Sequence, residues 1–242
     1  MQGGLRTKPR PVYQINQYSE SGHGRQAYTA SPEYTQAFQP KRIVAEVITL
    51  ILAAGASRRM GKIKALLPWG HTTILGYLLQ EAKASDAGEI LIVTGAHREQ
   101  ILGAVGPLTA HTHHNPDWES GMGSSLASGV QEVERRFPDA EALVVILVDQ
   151  PLVSRAYLRR ILQAHRDFPG HIIASDYGGF AGVPALFPRR FWEALRDLSA
   201  EKGAKGLIAS NLAQCRVLDP GMAITDVDTP EAYEKALRKS EF

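Results

Sequence analysis

Residues Leu50–Pro68 read LILAAGASRRMGKIKALLP, and this stretch decides how the rest of the chain is interpreted. The apolar run Val47–Leu52 is aliphatic and β-branched without polar alternation, which predicts a buried strand. The strand ends in small residues and Gly55, which let the backbone approach a ligand closely and adopt a positive φ. Several basic residues follow: Arg58, Arg59, Lys62 and Lys64. We therefore predict a polyanion site at this strand end, best suited to a triphosphate.

Two better-known phosphate loops do not fit this stretch. A Walker loop has four residues between its first glycine and the Gly-Lys pair, followed by Ser or Thr. Here five residues separate Gly55 from Gly61, and Ile63 follows Lys62. The dinucleotide fingerprint needs a third glycine three residues after the second; this loop lacks it, and after Gly121 and Gly123 that position is Leu126. A P-loop NTPase and a Rossmann dehydrogenase are therefore disfavoured.

Composition limits the classes of partner and compartment. The chain has 27 basic and 25 acidic residues, a formal net charge of +2, so we expect neither nucleic acid nor a membrane surface as partner. Any anion site must then be local. The single cysteine, Cys215, excludes an intramolecular disulfide framework and fits a reducing compartment. The apolar run near Val47 is too short to span a bilayer, so we expect a soluble, cytoplasmic protein.

The chain divides by composition near residue 40. Residues 1–40 are rich in Gln, Ser, Tyr, Gly and Pro, with aliphatic residues only singly, which predicts a disordered extension. A partner-binding arm built on its tyrosines is the alternative. Residues 41–242 alternate between predicted strands and helices, which predicts βαβ units and an α/β domain with a doubly wound, mostly parallel sheet.

A second glycine-containing segment reads NPDWESGMGSSLASGV, residues 115–130. Asn115 and the following proline predict a turn, and Ser124 or Ser125 is predicted to cap the next helix. A helix N-terminus with hydroxyls and free amides can hold an anion or a base edge. The alternative interpretation is a capped helix in which Trp118 only packs in the core.

Acidic residues follow two later strands. Asp149 comes directly after the apolar run 142–148, at the carboxyl end of a predicted central strand, where α/β sheets bind ligands. Such a carboxylate suits Mg²⁺, with triphosphate oxygens and water completing the octahedron. A turn aspartate that caps the next helix is the alternative. Asp226 and Asp228 lie two positions apart and share one face if the segment is extended.

Five ordered motifs together resemble the nucleotidyltransferases that attach a nucleotide to the molybdenum cofactor. The family pattern LAAGxSxRMGxxKxLLP matches from Leu52 to Pro68, and NPxWxxGMxxSL matches from Asn115 to Leu126. LVDQP contains Asp149, GxxGxPxLF matches from residue 179 to residue 187, and the family's DIDTP appears as DVDTP. The chain departs from the family at Val183, where His is commoner, and at Lys205, where the family has Arg.

The resemblance implies a Rossmann-like nucleotidyltransferase fold and a Mg²⁺-dependent reaction of CTP with molybdopterin. Its products would be the cytosine dinucleotide cofactor, for a recipient molybdoenzyme, and pyrophosphate. The implied catalytic residues are Arg59, Lys64 and Asp149. The implied metal ligands are Asp149 and Asp228, with Asp226 as second choice. The implied nucleotide-binding residues are Leu52, Ala53, Ala54, Gly55, Lys64, Asn115, Gly121 and Ser125.

Three alternatives stay open at this point. The family's cytidylyltransferase branch carries LAAG and DQP, so Ala54 and Gln150 favour CTP over GTP. A guanylyltransferase of the same fold is therefore the first alternative. Transfer to another phosphorylated acceptor is the second, because the acceptor side is where the chain departs from the family. A non-catalytic cofactor carrier for a molybdoenzyme is the third.

Overall fold

The computed structural model describes residues 47–105, 110–198 and 203–240. The predicted extension 1–40 lies outside these ranges, as do the first residues of the predicted domain. The strands are β1 (Val47–Ala53), β2 (Pro68–Trp69), β3 (Thr72–Thr73), β4 (Glu89–Thr94), β5 (His111–His114), β6 (Ala142–Leu147), β7 (Ile172–Asp176), β8 (Ala181–Pro188) and β9 (Cys215–Leu218). The α-helices are α1 (Ile74–Ala84), α2 (Arg98–Val105), α3 (Met122–Arg136), α4 (Arg155–Asp167), α5 (Trp192–Arg196), α6 (Ala204–Ser210) and α7 (Pro230–Leu237).

The described strands form a seven-stranded sheet in the order β5-β4-β1-β6-β8-β7-β9, beside a small β2-β3 ribbon. Strand β1 pairs in parallel with β4 on one side and with β6 on the other. Strand β8 runs antiparallel to both of its neighbours, while β7 and β9 are again parallel. The predicted mostly parallel sheet is confirmed. The strand order reverses between β4 and β6, which places a crevice at the carboxyl end of β1.

The apolar strands bury both faces of the sheet. Ile51 and Ala53 of β1 belong to one core cluster, together with residues of α1 and α4. Ile48 and Leu50 belong to a second cluster, with residues of α3 and α5. This alternation follows from the two-residue period of a strand. Because β1 is buried on both faces, its residues are aliphatic on both, and the sequence shows no polar alternation. The sheet is doubly wound, as predicted.

Side-chain caps fix where several helices begin. Thr73 Oγ1 accepts a hydrogen bond from Gly76 N (3.1 Å) at the start of α1, and Thr229 Oγ1 accepts one from Ala232 N (3.2 Å) at the start of α7. The predicted serine cap of α3 is wrong. Helix α3 begins directly after Gly121, whose φ of 118° forms the turn, so Ser124 lies inside the first turn and donates to Gly121 O (2.8 Å).

The glycine-containing segment after β7 forms the turn of a hairpin. Strands β7 and β8 pair antiparallel, and Tyr177 N donates to Phe180 O (2.9 Å) at the turn. The parallel half of the sheet is thus joined to a hairpin that presents aromatic side chains. None of the described helices has the length and apolar character needed to cross a membrane.

Candidate active site

The loop after β1 folds back on itself around Ser57. The carbonyl of Ser57 accepts hydrogen bonds from Met60 N (3.1 Å) and Gly61 N (3.2 Å), and its hydroxyl accepts one from Lys64 N (3.1 Å). Both Ser57 (φ 53°) and Gly61 (φ 68°) adopt left-handed backbone conformations. The loop therefore starts a short 3₁₀ turn, Lys64–Leu66, from which Lys64 reaches the strand ends.

A second loop supports the first from behind. Ala96 N donates to Ala54 O (3.1 Å), and the ring of His97 lies within hydrogen-bond distance of Ala56 O (3.2 Å). Gly95 must lack a side chain, because an added Cβ would lie 2.5 Å from Ala54 O and 2.6 Å from Trp118 Cβ. Gly95 therefore lets this loop lie directly against both Ala54 O and the Trp118 side chain. Sequence reasoning did not single out Gly95, although its position just after a predicted strand was a usable signal.

The wall opposite the phosphate loop is organised by Asn115. This side chain is buried, and its Nδ2 donates to the hydroxyls of Ser124 and Ser125, both at 3.0 Å. Its Oδ1 accepts from Asp117 N (3.0 Å). All of these bonds stay within the wall, so Asn115 fixes the start of α3. Both N–H groups of Asn115 Nδ2 are used within the wall, so neither is free for the nucleotide contact that the resemblance implied for Asn115.

An open cleft of about 380 Å³ lies between the two walls. The predicted residues that line it are Leu52, Ala54, Gly55, Lys64, Gly121, Ser125 and Asp149. Trp118, Glu119 and Met122 line it as well, although they were not among the predicted site residues. The predicted residues outside its lining are Ala53, Arg59, Asn115, Asp226 and Asp228. Ala53 is buried in the core beneath the loop.

Acidic and basic side chains from three separate segments meet beside the cleft. Lys64 Nζ lies 3.5 Å from Asp149 Oδ2 and forms a short ion pair with Asp228 Oδ1. Arg59 Nη2 lies 2.8 Å from Asp228 Oδ2. The segment that carries Asp228 is anchored by Val227 N, which donates to Asp149 O (2.8 Å). The structure therefore brings together the residues predicted for catalysis and metal binding.

The three carboxylates have different electrostatic surroundings. Burial raises the pKa of Asp149; Lys64 opposes that rise, and the negative charges of Asp226 and Asp228 add to it. Burial also raises the pKa of Asp226, against the hydrogen bond from Gln150. The pKa of Asp228 is lowered, chiefly by its hydrogen bond from Lys64 and also by Arg59. Asp228 is thus the carboxylate whose charge the protein itself stabilises best.

The donor set beside the cleft fits a divalent cation held jointly with a ligand. Asp149 Oδ1 is buried and has no hydrogen-bond partner among the described residues. A buried carboxylate oxygen of this kind is costly unless something binds it. Within the described ranges no group of three or more His, Cys, Asp and Glu side chains could hold a metal by itself. The remaining ligands would be phosphate oxygens and water, as is usual for Mg²⁺.

A second, smaller pocket of about 250 Å³ adjoins the cleft, and the two share Leu52, Met122 and Leu147. Its aromatic wall comes from the β7-β8 hairpin, where the rings of Tyr177 and Phe180 stack with centroids 4.8 Å apart. Lys205 Nζ lies 3.4 Å from the centroid of the Phe180 ring. The other lining residues are Leu126, Val145, Gly182, Val183, Gly203 and Ala204. Sequence reasoning assigned no role to Tyr177 or Phe180.

This site and fold define a nucleotidyltransferase. The sequence profile of the MobA-like NTP transferase domain matches residues 49–216, and the chain belongs to that family. It is 29% identical over 203 residues to "Purine catabolism protein PucB" of Bacillus subtilis, which covers 79% of this chain and 96% of the relative. It is 33% identical over 202 residues to "Nicotine blue oxidoreductase" of Paenarthrobacter nicotinovorans, with the same two shares.

Further relatives bear on the reaction. "Molybdenum cofactor cytidylyltransferase" of Escherichia coli is 26% identical over 186 residues, 76% of this chain and 92% of that protein. The crystal structure of Rv0371c from Mycobacterium tuberculosis superposes with a TM-score of 0.70 at 30% identity, covering 79% of this chain and 97% of that chain. A manganese complex of Rv0371c superposes with a TM-score of 0.65 at 28% identity, covering 80% and 99%. A divalent cation is therefore compatible with this family.

Proposed function

We propose that this protein transfers CMP from CTP to the terminal phosphate of molybdopterin, the pterin ligand of the molybdenum cofactor. An oxygen of the acceptor phosphate attacks the α-phosphorus of CTP, and the bond from that phosphorus to the bridging oxygen of the β-phosphate breaks. The products are the cytosine dinucleotide cofactor and pyrophosphate. The observation that carries the proposal is the buried, unpartnered Asp149 Oδ1 beside Lys64, at the end of a sheet whose first loop suits a triphosphate.

Positioning and charge neutralisation are the main requirements of such a reaction, because the phosphoryl group itself needs little covalent help. Mg²⁺, held by Asp149 and Asp228 when bound, would offset the triphosphate charge. Arg59 would bind the β- and γ-phosphates. Lys64 would turn from the carboxylates to the charge that grows at the α-phosphate.

Ion pairs with the carboxylates hold Lys64 and Arg59 beside the cleft, where the phosphates would bind. Lys64 touches both Asp149 and Asp228, and Arg59 touches Asp228. A cation that binds these two carboxylates would release Lys64 and Arg59 toward the phosphates. Nucleotide and metal would therefore bind together, because the metal neutralises the carboxylates and the phosphates neutralise the released Lys64 and Arg59.

Two features support cytidine as the base. Ala54 and Gln150 are the residues that the family's cytidylyltransferase branch carries in its LAAG and DQP motifs. Trp118, which lies against Gly95, lines the same cleft as Ala54 and offers an aromatic face to a base. A guanylyltransferase of the same fold is the alternative, and competition between nucleotides separates the two.

The second pocket supports a flat, anionic acceptor. Stacked aromatic rings at its wall can pack against a planar heterocycle, and Lys205 supplies a positive charge beside the Phe180 ring. Its border with the cleft, at Leu52, Met122 and Leu147, gives the acceptor a route to the α-phosphate. Val183 lines this pocket where the family more often has His, so another phosphorylated acceptor is the second alternative.

The test is to incubate the purified protein with Mg²⁺, molybdenum-loaded pterin cofactor and each of the four NTPs in turn. We expect pyrophosphate and a cytosine dinucleotide, detected by mass spectrometry, with CTP alone of the four. Turnover with GTP instead would show a guanylyltransferase. Binding of CTP and of cofactor without turnover would favour a carrier that delivers cofactor to a molybdoenzyme.

A matched pair of lysine variants tests the site in the same assay. Lys64→Met removes the cation that touches both carboxylates, and we expect the rate to fall by on the order of 10²-fold. Lys235→Met removes an exposed cation of helix α7 that lines neither pocket, and it should leave the rate within about twofold. Equal effects of the two substitutions would remove Lys64 from the mechanism.

A further inference from the structure

The side chain of Gln150 joins the acidic cluster to the wall of the second pocket. It is only 1% exposed, and it directly follows Asp149 in the sequence. Its Nε2 donates two hydrogen bonds, to Tyr177 Oη (2.8 Å) and to Asp226 Oδ1 (3.0 Å). One buried amide, next in the chain to Asp149, therefore links an aromatic residue of the second pocket to a carboxylate of the acidic cluster.

On the pocket side, Tyr177 holds both strands of the β7-β8 hairpin. Its hydroxyl donates to Val183 O (2.6 Å), and its ring stacks on Phe180 at an interplanar angle of 16°. The ring also lies over Gly182, where an added Cβ would approach a ring carbon to 2.9 Å. Burial raises the pKa of Tyr177 to about 12, so its hydroxyl keeps the proton that it donates. The position of this phenol therefore sets the position of the pocket wall.

On the cleft side, the amide holds the segment that supplies the other acids. Asp226 accepts from Gln150, and the next residue, Val227, donates its backbone N–H to Asp149 O (2.8 Å). Asp228 then reaches Lys64. Gln150 thus connects the hairpin by hydrogen bonds to the segment that carries two of the three carboxylates.

The arrangement has a cost that packing alone does not explain. Gln150 Oε1 is buried and has no hydrogen-bond partner among the described residues, and an apolar side chain of similar size would avoid that penalty. A side-chain amide of this reach provides two donors without a net charge, one for the phenol and one for the carboxylate. The two donated bonds are therefore the reason to place a glutamine there.

We propose that Gln150 is a positioning residue that fixes the wall of the second pocket relative to the acidic cluster, and so aligns the acceptor with the α-phosphate. The proposal rests on the proposed function only in that a second substrate occupies this pocket. Gln150 acts through Tyr177 and Asp226 and touches neither substrate. Its loss should impair use of the acceptor while nucleotide binding is retained.

The kinetic test compares Gln150→Leu, Tyr177→Phe and the double variant with the parent protein. We expect kcat/KM for the acceptor to fall 10- to 100-fold in each single variant, while the Kd for CTP with Mg²⁺, measured by calorimetry, stays within twofold. In the double variant kcat/KM for the acceptor should lie within about twofold of the value for the less active single variant, because both side chains act through the same pair of hydrogen bonds. Gln163→Leu, which changes an exposed glutamine of α4, is the control and should leave both constants unchanged.

A second readout does not need an acceptor. In the parent protein, CTP with Mg²⁺ should slow backbone hydrogen exchange both in loop 54–63 and in hairpin segment 177–183. In Gln150→Leu the protection of the loop should persist and that of the hairpin should disappear. Tyr177→Phe, which keeps the ring and removes only the hydroxyl, repeats the measurement if the leucine variant fails to fold.

The outcomes separate this proposal from the proposed function. If the parent protein shows no turnover with molybdenum cofactor but the exchange pattern is as expected, the positioning role stands and the acceptor is wrong. Persistent hairpin protection in both variants would overturn the positioning role whatever the acceptor is. An equal loss of affinity for CTP and for the acceptor would overturn it as well, because that is the result of general damage to the site.

Discussion

The carboxyl ends of the parallel strands β1 and β6 border one pocket, and the β7-β8 hairpin borders the other. Loop backbone and glycines line the first pocket, with four paired charges in it or beside it, whereas aliphatic and aromatic side chains with one lysine line the second. Every nucleoside triphosphate presents the same phosphates, so one short sequence pattern can supply the residues of the first pocket. The second must follow the shape of one acceptor, so its residues are freer to differ between relatives.

The largest expected effect breaks the first pocket chemically. Asp149→Ala removes the carboxylate with the unpartnered buried oxygen, and we expect turnover to fall by at least about 10³-fold. The protein should stay folded, because a buried carboxylate with a raised pKa is itself destabilising. Circular dichroism and pyrophosphate release measure the two quantities. Asp139→Ala, at an exposed turn, is the control; a near-normal rate in Asp149→Ala would exclude Asp149 from metal binding.

A smaller effect breaks the first pocket sterically and removes no charge. Gly95→Ala places a Cβ 2.5 Å from Ala54 O, so the loop must shift, at a cost of about 1–3 kcal/mol. We expect the Kd for CTP with Mg²⁺ to rise about 10-fold or more in calorimetry, with acceptor affinity unchanged. Gly103→Ala is the control: it lies in helix α2 with nothing within 4 Å and should stabilise the protein slightly. Unchanged CTP affinity in Gly95→Ala would show that this loop does not support the nucleotide.

The second pocket is tested by a pair of phenylalanines of similar exposure. Phe180 is 43% exposed with Lys205 over its ring, and Phe168 is 40% exposed with Arg216 over its ring, away from either pocket. Phe180→Ala should raise the KM for the acceptor about 10-fold and leave the KM for CTP within twofold, since a stacking or cation–π contact contributes about 1–2 kcal/mol. Phe168→Ala should change neither constant. The same result for both would contradict the assignment of the second pocket to the acceptor.

The smallest effect concerns stability and should touch neither pocket. Hydrogen bonds from Arg135 and then Arg136 hold the pKa of Glu132 at about 2, below its usual value of 4.5, although burial opposes the shift. A depressed carboxyl pKa stabilises the fold above about pH 4.5, and this contribution is lost as the pH falls toward 2. Because Arg135 is largely exposed, we expect Glu132→Gln to lower the free energy of unfolding by only about 1–2 kcal/mol at pH 7.

Urea unfolding at pH 7 and at pH 3 measures this difference between Glu132→Gln and the parent protein. The gap should narrow at pH 3, and both kinetic constants should be unchanged. A gap that is independent of pH would show that the substitution acts through packing. Changed kinetic constants would mean that stability contributes to the effects measured at the two pockets.

The sequence predicted the first pocket far better than the second. Local signals sufficed for β1, its glycine loop and Asp149, because an apolar run followed by small and basic residues has one plausible arrangement. Asp228 could be nominated from a motif, but its ion pair with Lys64 spans 164 positions and is visible only in the folded protein. The prediction of a serine cap for α3 was wrong because the turn at Gly121 starts that helix three residues before Ser124 would have.

The wall of the second pocket could not be predicted, because nothing local marks it. Tyr177 and Phe180 are ordinary turn-flanking aromatics in the sequence, and they become a wall only when β8 inserts antiparallel between β6 and β7. Gln150 was noted only as part of a motif, since its partners lie 27 and 76 positions away. Residues 199–202 lie outside the described residues.

The central position of β1 has a consequence for how the chain acquires its structure. Both partners of β1 come later in the sequence, β4 at residues 89–94 and β6 at residues 142–147. During synthesis both edges of this apolar strand therefore stay unpaired until the later strands emerge, and unpaired strand edges favour aggregation between chains. Closing its second edge is a contact of high sequence separation, which slows folding. Expression at lower temperature or with added chaperones should therefore raise the soluble yield.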